Sequence, residues 1–186
     1  MATGRTFMLN DVSIIPALGL GTWQSPDEEV YEAVLTALNT GYKHIDAAFC
    51  YGNEVPVGKA IKDSGVPREN IFLTSKLWST GHTRVSEDLE VSLKNLGVEY
   101  VDLAIIHSFL PLRDLLPDED WNYITTWASM QELLKTGKVK SIGVSNFSTY
   151  HLEQLLKAPS TIIVPAVNQG VQCQIYQQCL FQHRTY

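Results

Sequence analysis

Residues 71–107 decide the architecture. They open with Ile71-Phe72-Leu73-Thr74-Ser75-Lys76 and pass through a segment carrying Val85, Leu89, Leu93 and Leu96, closed by Gly97. They finish with Val101-Asp102-Leu103-Ala104-Ile105-Ile106-His107. The two outer runs are apolar and of strand length, and the middle one places its apolar residues on a single helical stripe. Strands apolar on both faces and joined by a helix pair in parallel, because only helices on either side can cover them.

The same unit repeats outward in both directions. Towards the N-terminus, Ala17-Leu18-Gly19-Leu20 reads as a strand. Ser25-Pro26-Asp27-Glu28 then reads as an N-cap, a first-turn Pro and a capping-box Glu, ahead of Val30, Val34 and Leu38 and a stop at Gly41. His44-Ile45-Asp46-Ala47-Ala48 is the next strand, and a helix starting near Asn53 carries Ala60 and Ile61 and ends before Gly65. Towards the C-terminus, a polar, Pro-containing loop leads to a stripe of Ile124, Trp127, Met130 and Leu134 closed by Gly137. The strand 139–144, a helix capped by Ser148 with Leu152, Leu155 and Leu156, and a last strand over 162–167 follow. The count is six strands with five intervening helices.

Two folds meet that description. A doubly wound nucleotide-binding sheet calls for G-x-G-x-x-G after its first strand, but Gly19 and Gly21 are followed by Gln24 where the third glycine belongs. A (β/α)8 barrel calls for eight units in about 250 residues. The 186 residues supply about six. Neither requirement is met in full, so both folds stay open at this point and the parallel α/β sheet is the common ground.

Composition narrows the function. Hydrophobic residues make up 45% and charged residues 18%, enough to build one substantial core. A net charge of −6 with no basic run removes the footprint of a nucleic-acid binder. No segment of about 18 apolar residues and no secretory leader is visible, so neither a membrane span nor export is expected. Cys50, Cys173 and Cys179 form no disulfide framework and, with His183, no zinc spacing, which fits a cytoplasmic protein without a metal.

A parallel barrel builds its active site where strands finish. Here the strand ends carry Asp46 with Tyr51 shortly after, Lys76, His107, Ser145-Asn146, and Asn168-Gln169. Taken singly, each has a structural reading: a turn cap, a rim aromatic, a solvated lysine, a core histidine. Together they converge on one rim, and Asp46 inside an apolar run needs a cationic partner, for which Lys76 on the neighbouring strand is the natural candidate. Tyr, Lys, His and Asp in one place suit carbonyl chemistry: an ammonium favours the phenolate of Tyr51, Asp46 holds Lys76 charged, and His107 directs a substrate oxygen. None of them supplies a hydride, so reduction needs a nicotinamide cofactor.

The stretch Gly41-Tyr42-Lys43-His44-Ile45-Asp46-Ala47-Ala48, with Tyr51-Gly52-Asn53-Glu54 and Gly58 after it, closely resembles the signature of the aldo-keto reductase superfamily. Gly19 to Trp23, Thr74 to Trp78, Gly143 to Phe147 and Val167-Asn168-Gln169 appear in that family's order, so the resemblance covers about residues 8–169. It implies an α/β fold, a (β/α)8 TIM barrel that is incomplete here with about six of eight βα units, and an NADPH-dependent oxidoreductase that reduces small aldehydes and ketones to alcohols, of the alcohol dehydrogenase (NADP+) or aldose reductase type. Tyr51 would be the acid, Lys76 and Asp46 its tuning pair, and His107 the residue that orients the carbonyl. Asn146 and Gln169, with Ser145 beside them, would hold the nicotinamide amide. Thr22 would line the cofactor site, and Trp23 and Trp78 the substrate pocket. Glu54 is expected to serve its helix start.

The resemblance also marks departures. Ser108-Phe109-Leu110-Pro111 stands where the family shows Trp-Pro after the histidine, and from Gly170 to Tyr186 the text loses the family pattern. The expected division is a partial reductase domain over 1–169 and a divergent tail over 170–186. With two units absent, the strand-seven Tyr, the segments binding the adenosine 2′-phosphate and the substrate-selecting C-terminal loop are missing. The strands at 17–20 and 162–167 would be left with bare edges. The alternatives to an active reductase are therefore a catalytically inactive, truncated member and a non-catalytic interaction module. Substrate identity and oligomeric state carry no signal.

Overall fold

The computed structural model describes residues 4–78, 82–107, 122–174 and 178–184, with side chains up to residue 170. The expectations for Ser108–Pro111 and the loop before Trp121 lie outside the described residues. Strands β1 (Thr6–Met8) and β2 (Ile14–Pro16) form an antiparallel hairpin. The main sheet follows the order β3 (Leu20–Gly21), β4 (His44–Asp46), β5 (Phe72–Leu77), β6 (Val101–Ile106), β7 (Val139–Ser145), β8 (Asn168–Gln174), β9 (Gln178–Arg184). The first six pair in parallel and β9 turns back antiparallel on β8. Helices α1 (Asp27–Asn39), α2 (Glu54–Asp63), α3 (Val85–Leu96), α4 (Tyr123–Leu133) and α5 (Thr149–Lys157) connect successive parallel strands, which curl into an incomplete (β/α)8 barrel. Among the described residues no helix is long and apolar enough to cross a membrane.

Strand alternation sorts the core into two clusters. One, under the helices, holds Val34, Ile45, Val57, Leu73, Leu89, Leu93, Ile106, Trp127, Ile142 and Leu155. The other, on the concave face, joins Phe72, Leu103, Ile105 and Val167 to Leu9 and Ile15 of the hairpin. The expected helical stripe of α3 is buried throughout, and Gly97 adopts φ 63° to end the helix, a conformation glycine takes without Cβ strain. Asn122 and Ser148 cap α4 and α5 with their side-chain oxygens.

Four expectations change. Helix α1 starts at Asp27 with Pro26 in the cap position and no side-chain cap bond; Asp27, Glu28 and Glu29 instead set negative charge in its first turn. The first parallel strand sits at Leu20–Gly21, later than 17–20. The last does not occupy 162–167. The amides of Ile162 and Ile163 donate to Gln131 Oε1 at 2.8 and 2.7 Å, Pro165 has no amide, and Ile162 is 87% exposed. Ladder bonds begin only with Ala166 N to Ile142 O, and β8 runs on through Gln174. That strand is not bare either, because β9 pairs along its whole length. The β1–β2 hairpin was not expected at all.

Candidate active site

Register explains why the chemistry-bearing side chains meet. Asp46 pairs with Thr74 of β5, and Lys76 lies two residues further on the same face, so its side chain reaches back over β4. Lys76 Nζ donates to Asp46 Oδ1, to Ala47 O at 3.0 Å and to the Tyr51 hydroxyl at 3.1 Å, with its side chain 1% exposed. Asp46 Oδ2 accepts from Gln169 Nε2 at 2.6 Å, tying the start of β8 to the end of β4 across 123 residues of chain. A single turn, Phe49–Tyr51, swings Tyr51 over this group.

Beyond β6, His107 meets the edge of Tyr51 with ring centroids 5.5 Å apart and that of Trp78 at 5.3 Å. Its Nδ1 lies 3.1 Å from Cys50 Sγ. After β7, Asn146 takes φ 62°, a left-handed conformation Asn tolerates better than most residues, and donates to Ser145 Oγ at 3.0 Å and to His107 O at 3.4 Å. These residues enclose an open cleft of about 360 Å³ walled by Trp23, Cys50, Tyr51, Trp78, His107, Ser145, Asn146 and Gln169.

The electrostatics follow from burial set against one ammonium. Burial pushes the Asp46 carboxyl up, but the Lys76 charge and the bonds from Lys76 and Gln169 hold it below the ordinary carboxylate value. Burial would strip the Lys76 proton; Asp46 and Tyr51 more than offset it, so the ammonium is secured. For Tyr51, burial raises the phenol and Asp46 adds to that, while Lys76 draws it down without cancelling the rise. The expected effect of Lys76 is present and is outweighed. Burial and the Lys76 charge together drop His107 to about 4, leaving a neutral imidazole at pH 7. Burial lifts the Cys50 thiol to about 11.

The aldo/keto reductase family model matches residues 17–182. The chain belongs to that family. Among characterised aldo/keto reductases it is 48% identical to an aldehyde reductase of Saccharomyces cerevisiae, covering 90% of this chain and 60% of the relative. It is 49% identical to the glycerol 2-dehydrogenase (NADP(+)) of the same yeast, with 89% and 59% covered, and 43% identical to the methylglyoxal reductase DkgA of Escherichia coli, with 91% and 58% covered. A crystal structure of an aldo/keto reductase from Brucella melitensis superposes with a TM-score of 0.80 at 45% identity, covering 90% of this chain and 63% of that one. The chain thus spans about three-fifths of the length of these relatives.

Of the aldo/keto reductase residues singled out in the sequence, Trp23, Tyr51, Trp78, His107, Ser145, Asn146 and Gln169 wall the cleft, with Asp46 and Lys76 linked to Tyr51. Thr22 stands behind it, 1% exposed, with its hydroxyl donating to Asp46 O at 3.1 Å. Glu54 begins α2 as expected, but its buried carboxylate accepts from Ser75 Oγ and Asn95 Nδ2 and so braces α2 against β5 and α3. Two residues went unread as part of the site. Cys50 carried a signal in its place directly before Tyr51. Asn53, buried and donating to Thr22 O and Ser25 O, fixes the loop that bears Trp23.

Proposed function

We propose that the chain carries the catalytic half of an NADPH-dependent reductase that converts small aldehydes or ketones to alcohols, with residues 1–169 as its reductase part and 170–186 as a divergent tail. The observation that supports this best is the single ammonium of Lys76 bound at once to Asp46 and to the hydroxyl of Tyr51, on the edge of a cleft shared with a neutral His107.

Tyr51 delivers its proton to the carbonyl oxygen as the alkoxide develops, a transfer that runs towards the stronger base even from a phenol held above its ordinary value. Lys76 neutralises the phenolate left behind, and Asp46, itself gripped by Gln169, keeps Lys76 in place and charged. His107 directs the carbonyl oxygen towards Tyr51 while Trp23 and Trp78 supply apolar walls.

A nicotinamide carboxamide presents both donors and an acceptor. Gln169, its Nε2 spent on Asp46, keeps Oε1 to accept; Ser145 and the Asn146 side chain offer both kinds of group beside it, so the amide end of NADPH fits the residues present. Once bound, that cofactor supplies the hydride. NADPH oxidation followed with a series of small aldehydes tests the reading. Turnover is expected to disappear in Tyr51→Phe with circular dichroism unchanged, and a Tyr51→Phe variant that keeps its rate would overturn the role of Tyr51.

A second reading, a family member without turnover, draws on β9. Its antiparallel pairing along β8 occupies the sheet edge on which a further parallel strand would lie. Measured turnover by the 186-residue chain excludes it.

A further inference from the structure

Cys50 sits in the turn that delivers Tyr51, with its sulfur 3.1 Å from His107 Nδ1. A neutral imidazole carries one proton, and which nitrogen holds it decides whether the ring can donate into the cleft. Imidazole nitrogen is a good acceptor and thiol sulfur a poor one, so a neutral thiol facing a neutral imidazole pairs as S–H to Nδ1. Among the described residues no hydrogen bond engages Nε2. We propose that Cys50 is a positioning residue: its thiol donates to His107 Nδ1 and so fixes the tautomer in which Nε2–H is the donor offered to a carbonyl oxygen. The Cys50 thiol held at about 11 and the imidazole at about 4 keep both partners neutral across the physiological range.

The tautomer can be read without turnover. Long-range 1H–15N correlation on histidine-labelled protein, assigned with His107→Asn, is expected to show His107 protonated at Nε2. In Cys50→Ala an Nδ1–H population should appear, and Cys50→Ser, whose hydroxyl can also donate, should restore the original spectrum. A wild-type His107 protonated at Nδ1, or a Cys50→Ala spectrum identical to wild type, overturns the proposal.

The catalytic consequence rests on the reductase reading. Cys50→Ala should lower kcat for a small aldehyde about two- to tenfold, the range one neutral hydrogen bond covers, with the KM for NADPH unmoved and recovery in Cys50→Ser. A tautomer shift with kcat unchanged overturns the role in the reaction. Absence of turnover in every form defeats the reductase reading, while the spectra still decide the tautomer.

Discussion

At the scale of single residues, Lys76 is the hinge of the site, because one ammonium answers both a half-buried carboxylate and a phenol. Lys76→Met leaves Asp46 with Gln169 as its remaining donor and removes the charge that offsets phenolate formation. Carbonyl reduction is expected to fall about 10²–10⁴-fold, the usual worth of a positioned proton donor, with near-normal rates in that variant as the contrary result. His107 leads to a stability prediction. Its folded-state value lies near 4 against an ordinary 6.5, so as pH falls between them the unfolded chain takes up a proton that the folded one refuses. Folding stability from this group is therefore complete above about 6.5, declines as pH drops towards 4 and is level below that. Urea midpoints at pH 7 and pH 4.5 should differ more for the wild-type chain than for His107→Asn; equal differences would contradict the assignment.

At the scale of elements, α2 lies against the end of α3 with no room between them. A Cβ built on Gly58 would stand 2.2 Å from the carbonyl oxygen of Leu96 and 2.5 Å from its carbon, both backbone atoms that cannot turn aside. Gly58→Ala is expected to cost about 1–3 kcal/mol, the usual range for overpacking, read as a lower urea midpoint with unchanged slope. The helices were legible where apolar residues recur at helical spacing, most clearly in α3 with Val85, Leu89, Leu93 and Leu96. The residues proposed for catalysis were legible because strand ends in a parallel sheet share a rim. Illegible were the features that depend on one distant side chain. Ile162 and Ile163 look like a strand until Gln131 takes their amides, and the β1–β2 hairpin has too few residues to announce a period. Tyr51 shows a different limit: the sign of each neighbour's effect could be read from chemistry, but the dominance of burial could not.

At the scale of the whole molecule, β3 and β9 are the two ends of the sheet. Unpaired strand edges recruit other chains, so the 186-residue chain is expected to elute from size-exclusion chromatography as dimers or larger species. A monodisperse monomer would show that these edges are protected. On the proposed reading, NADPH meets the cleft at its carboxamide end, through Ser145, Asn146 and Gln169 in the cleft wall. Each charge-assisted phosphate contact is worth about 1.5–3 kcal/mol, so binding that draws on the amide end alone should be weaker than about 1 µM. Tryptophan fluorescence of Trp23 and Trp78 can follow the titration, and a chimera carrying two further βα units of a relative after Gln169 should bind more tightly. Micromolar or tighter affinity in the unextended chain would overturn this expectation. The N-terminal hairpin has a bearing on how the chain assembles in time. Ser13 meets Ser141 across 128 residues and Asn10 meets Val164 and Pro165 across 154 and 155, while Leu9 and Ile15 enter a cluster completed by Val167. During synthesis the hairpin emerges well before Ser141 and residues 164–167, so its docking surface, which also includes Phe72, Leu103 and Ile105, is completed only once those residues follow. Closing loops of that span is slow, so the hairpin seats late in folding, and an amide such as Ala17, bonded to Arg5 O, should gain protection from hydrogen exchange only after those in β5 and β6.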